Sequence, residues 1–186
     1  NTLDIYCFVN LAQDGNDATV KAGYTLERVY KYASGGNGND FTLVPDADGY
    51  RAAIGVPKDD TRERAFLLKA NETAAGSVTY TAVPVSGADR TSATTYTAAL
   101  AEASATLPNS KNLTCPLLMS ARATHTVITG AGEYIDDPVF TREDLAKGIS
   151  ARMIRRVARI DISNPVTTGF TVTGIKAAGN PCVPLF

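Results

Sequence analysis

The stretch Ser150–Asn164, SARMIRRVARIDISN, places the tightest constraint on the fold. Ala158, Ile160 and Ile162 point one way from its backbone, and Arg159, Asp161 and Ser163 the other. A period of two is that of a strand with one buried and one wet face. Asn164-Pro165 ends it, since proline cannot donate to a ladder. A helix would instead group Met153, Ile154, Val157 and Ala158 among the arginines, as a basic amphipathic face for a membrane or a partner. The β-branched Ile160 and Ile162 favour the strand. The arginines then form a solvated face.

Similar short runs recur along the chain. Leu3 to Val9 alternates Leu3, Ile5, Cys7 and Val9 with Asp4, Tyr6 and Phe8, so this strand is expected to be covered on both sides. Tyr24 to Tyr32 reads as a strand with Tyr24, Leu26, Arg28, Tyr30 and Tyr32 on one face. Phe41–Val44 and Tyr50–Val56 read as a hairpin around Pro45-Asp46-Ala47-Asp48-Gly49. Arg64–Asn71 reads as a central strand, and Val78–Val85 as another. Leu117–Ser120, Thr124–Ile128 and Phe170–Lys176 are also extended, the last pairing with the Ala158–Ile162 strand. Two helices are expected. Tyr96–Ala105 is rich in alanine and leucine. Arg142–Lys147 follows a Thr141-x-x-Asp144 capping pattern and stops at Gly148. Ser34–Asp40 and Ser86–Thr95 are loops. These features predict an all-β sandwich, with about seven to nine strands and one or two short helices.

The functional readings are mostly exclusions. Charge is balanced, with 18 basic and 19 acidic residues, which argues against a nucleic-acid binder. No apolar run approaches the roughly 20 residues of a membrane span. Cys7, Cys115 and Cys182 lack metal-ligand spacing and read as buried thiols, with one disulfide left open. The single histidine, His125, is poor material for zinc, and no G-x-S-x-G elbow exists to make it part of a triad. The Ser34–Asp40 glycines lack the lysine and hydroxyl of a phosphate loop. Asp46 and Asp48 lack the rest of a calcium loop and read as a turn. Asp59-Asp60 and Asp136-Asp137 read as solvated turns. The sequons at Asn71 and Asn112 carry no weight, being short enough to arise by chance. No catalytic, cofactor-binding or metal-binding residue emerges, and a non-enzymatic role is expected.

Five segments, in order, resemble the N-terminal domain of the fimbrillins, the type V pilin superfamily of Bacteroidetes. They are Leu3-Asp4-Ile5-Tyr6-Cys7-Phe8, Phe66-Leu67-Leu68-Lys69-Ala70-Asn71, Pro116-Leu117-Leu118-Met119-Ser120, Arg155–Ile162 and Phe170–Ile175. The resemblance implies a transthyretin-like β-sandwich over residues 1–186, with that family's C-terminal domain lying outside this chain. It further implies a structural subunit, or a tip or anchor component, of a cell-surface fimbria. Family members are exported as lipoproteins to the outer membrane, trimmed by an Arg-specific protease, and joined by a neighbour's strand. The implied partners are other fimbrial subunits and a host or bacterial surface ligand, with membrane attachment only through a lipid anchor. The alternative is a non-polymerising adhesin or glycan-binding module, for which Tyr24, Tyr30 and Tyr32 would supply an aromatic platform.

Overall fold

The computed structural model describes residues 1–10, 23–57, 60–72, 79–83, 90–101 and 118–155. Within them the chain is mostly antiparallel strands with two short helices, an all-β fold. The principal sheet has five strands in the order β2-β1-β5-β6-β9: β1 (Thr2–Asn10), β2 (Tyr24–Ala33), β5 (Arg64–Ala70), β6 (Met119–Arg122) and β9 (Ile154–Arg155). Two hairpins stand apart from it, β3 (Val44–Asp46) with β4 (Gly49–Arg51), and β7 (His125–Ile128) with β8 (Tyr134–Asp137).

The two-sided apolar pattern of β1 explains its central place. Ile5 and Cys7 face one core with Tyr30, Phe41, Phe66, Ala123 and Phe140. Tyr6 and Phe8 face the opposite core with Leu26, Ala65, Leu67, Tyr96 and Ala99. We call these the first and second layers. Arg64–Ala70 is central, as its sequence suggests. Residues 156–162 and 170–176, including most of the Arg-rich stretch, lie outside the described residues.

β2 departs from the single-faced reading. Thr2 to Cys7 pair with Ala33 to Arg28 one for one, but Phe8 then pairs with Leu26. Glu27 is the extra residue of a β-bulge, which shifts the side-chain phase by one. Tyr30 and Tyr32 therefore pack in the first layer, while Tyr24 and Leu26 pack in the second.

The outer edge of β2 is blunted by its own flanks. Leu26 N donates to Thr94 O (2.9 Å), and Val83 N donates to Leu26 O (3.1 Å). Lys31 N donates to Asp40 Oδ2 (2.8 Å) and Ala33 N to Asn39 Oδ1 (2.8 Å). Groups so occupied cannot template another chain.

Other boundaries also differ from the sequence reading. The β3–β4 hairpin turns at Ala47-Asp48, so Pro45 and Asp46 belong to the strand and Ala52–Val56 to no strand. Residues 79–83 form no strand. Thr81 and Val83 make only isolated bonds to Thr94 and Leu26. Asp136-Asp137 lies in β8 rather than in a turn. Helix α1 (Tyr96–Leu100) is capped by Thr95, whose side chain accepts from Ala98 N at 3.2 Å, and residues 102–105 lie outside the described set. Helix α2 (Arg142–Lys147) has the expected reciprocal Thr141–Asp144 capping box.

Candidate functional site: an apolar trough on one face of the sheet

The sheet leaves a concavity of about 850 Å³ on its first-layer face. Leu3 and Ile5 of β1 and Phe66 and Leu68 of β5 form its floor. Their side chains share a face because Ile5 pairs with Leu68 and Cys7 with Phe66. One wall is the segment Ala52–Val56, and the other runs from Leu145 in helix α2 to Met153. Asp46, Asp48, Arg51 and Arg152 line it as well, so charges of both signs accompany an apolar interior. It can receive an apolar, extended or elongated group, with no ordered set of acids and bases along its floor.

Beside the trough lies a buried charge network. Arg64, at the start of β5, has a side chain with 0% exposure. Its Nη2 donates to Asp60 Oδ2 (2.6 Å), its Nε to Glu27 Oε2 (3.2 Å) and its Nη1 to Arg62 O (3.1 Å). Arg62 adds two bonds to Asp60 at 2.7 Å. Hydrogen bonds from Arg62, and then from Arg64, hold the Asp60 carboxyl well below the usual aspartate range. The solvated-loop reading of Asp60 is thus corrected, because a buried guanidinium needs a buried carboxylate beside it. Asp59 lies outside the described residues. The bulge serves the same network, since the extra residue aims the Glu27 carboxylate at Arg64 and Cys7.

Cys7 is buried and free, and burial first, then the Glu27 charge, pushes its thiol well above the ordinary range. A thiol so held is a poor nucleophile. Cys115 and Cys182 lie outside the described residues. On the opposite face Lys69 is buried between Tyr80 and Tyr6, its Nζ 4.4 and 5.5 Å from their ring centroids and 3.1 Å from Glu72 Oε1. This is a cation neutralised in place.

His125 is engaged structurally. Its Nε2 lies 2.7 Å from Val139 O, its ring stacks on Phe140 at 4.8 Å, and its Nδ1 lies 3.8 Å from the capping residue Asp144. Among the described residues no group of three His, Cys, Asp or Glu side chains is placed to hold a metal. No helix there is long and apolar enough to cross a membrane, which leaves strand-built membrane proteins untouched.

The expected tyrosine platform does not form. Tyr30 is buried, with its hydroxyl donating to Gly55 O. Tyr32 stacks on Phe41 at 5.7 Å, and Tyr24 bonds Glu63 at 2.9 Å. The bulge accounts for this by sending Tyr24 to the other layer. Among the described residues the strongly exposed aromatics are Tyr50 and Tyr134, at 71% and 75%. Arg64 is what the sequence reading missed. Its signal was a cation opening an otherwise apolar central-strand run, which demands a buried partner.

Comparison with protein-family models, with curated proteins and with solved structures finds no match.

Proposed function

We propose that this chain is a structural subunit, or a tip or anchor component, of a cell-surface fimbria. In this reading it is a transthyretin-like sandwich, assembled by β-strand addition with other fimbrial subunits at the extracellular face of the outer membrane. The trough carries the reading. Its floor offers apolar side chains from two adjacent strands, at the spacing an alternating extended segment would match. A further observation supports it. Where the segments that resemble fimbrillins fall among the described residues, they lie on neighbouring strands, with Leu3–Phe8 in β1, Phe66–Ala70 in β5, Met119 and Ser120 in β6 and Arg155 in β9.

The test uses the complete gene product in its native host. Sheared surface material is run on an SDS gel, heated and unheated. A ladder that collapses on boiling is expected, and Leu68→Arg, which puts a charge on the trough floor, should abolish it while the monomer stays folded. A single monomer band in both lanes would refute the polymer. The alternative is a non-polymerising adhesin or glycan-binding module, favoured by exposed Tyr134 and Tyr50. It predicts that the single band keeps its ligand until Tyr134→Ala.

A further inference from the structure

The trough wall between β4 and Asp60 has an unusual pattern. From Ala53 to Pro57 exposure alternates. Ile54 and Val56 are half-buried, while Ala53, Gly55 and Pro57 are exposed, and Ala52, Ala53, Ile54 and Val56 border the trough. That is strand periodicity, yet the segment belongs to no sheet. Among the described residues, the hydrogen bond holding 52–56 is the one that Tyr30 Oη donates to Gly55 O. Ile54 adds an apolar contact to the first-layer core.

Its two ends are held differently. The exposed β3–β4 hairpin, closed by its own Asp46–Arg51 ion pair, precedes the segment and pairs with no strand of the principal sheet. After it, Asp60 N donates to Pro57 O (3.4 Å), and Asp60 itself is held by Arg62 and Arg64. A span anchored at its Asp60 end and retained at its middle by so few contacts opens at low free energy, without the rest of the sheet.

We propose that Ala52–Val56 is a hinged flap. Latched by Tyr30 it narrows the trough, and released it admits an extended apolar segment. The inference rests on the trough being the binding site named above. Ile54 and Val56 occupy trough positions at strand spacing, so an incoming segment with alternating apolar residues replaces contacts the flap gives up.

The test uses the full chain, with Tyr30→Phe to remove the latch and Ile54→Ser to remove the plug. The probe is the dye 8-anilinonaphthalene-1-sulfonate. Losing one hydrogen bond of ordinary net strength raises the open population about fivefold. While the closed form predominates, the apparent affinity for the dye rises by the same factor of about five. Methyl NMR should show Val56 moving toward its unfolded position while Val9 and Leu67 stay in place. Unchanged dye affinity and Val56 resonances in both variants would mean a rigid wall and overturn the flap. Changes spreading to Val9 and Leu67 in both would make the segment an inseparable part of the core, and would overturn the flap equally. Neither readout needs polymer. A positive flap result with a monomer band on the gel would reject the fimbrial reading alone.

Discussion

Asp60→Asn keeps the shape of the side chain and removes the charge that Arg64 depends on. Arg64 would be left fully buried with Glu27 alone, at 3.2 Å, and Arg62 would lose its carboxylate as well. Removing one partner of a buried ion pair costs about 3–5 kcal/mol when nothing compensates. Glu27 compensates in part, so the low end, about 3 kcal/mol at pH 7, is expected. For a chain of this size that corresponds to a fall in Tm of roughly 6–12 °C. The effect carries a pH signature. The folded pKa of Asp60 is depressed, so its stabilisation is present above the unfolded aspartate value and is lost as pH falls through the folded one. The parent protein should lose this contribution progressively below about pH 4. The variant never has it, so the two stability curves converge in acid. Urea melts followed by far-UV circular dichroism, from pH 7 to pH 3, measure both. Arg28→Ala is the control. Its ion pair with Asp40 is 57% exposed on the arginine side, and its loss should cost less than about 1 kcal/mol. A loss below about 1 kcal/mol for Asp60→Asn, or a difference that does not shrink with acid, would refute the buried-network argument.

Two other outcomes follow from the packing. Cys7 should resist alkylation at pH 8 in the native protein and react after urea unfolding, as read by peptide mass spectrometry; native labelling at that position would contradict its burial. Leu67→Ala removes a fully buried side chain from the second layer and should cost about 2–5 kcal/mol by urea melt, with a cost under about 1 kcal/mol disproving that layer.

Sequence periodicity read some of these elements well and others badly, for physical reasons. Apolar residues at every position from Ile5 to Val9 pointed to a strand covered on both sides, and β1 is one. The Thr141–Asp144 cap was legible because its signal is entirely local. The bulge was not. It uses Glu27 rather than a glycine, and a two-residue charged interval looks the same whether or not one residue is extra. Asp60 was misread because its burial depends on Arg64 and Glu27, side chains brought in by tertiary pairing. The trough was not legible either, since its walls are irregular segments whose positions only the assembled sheet defines.

The bulge also determines how this chain tolerates insertion and deletion. Glu27 is a phase shifter that lets one strand serve two cores, with the aromatic pair Tyr30 and Tyr32 on one side and Tyr24 and Leu26 on the other. Deleting that single residue would straighten β2 and leave Leu26 opposite Phe8 and Thr25 opposite Val9, with Leu26 still in the second layer, because only the unpaired residue would be gone. Both cores would keep their residues, and only the carboxylate over Arg64 would be missing. The bulge is therefore a requirement of the buried charge network rather than of the packing on either face.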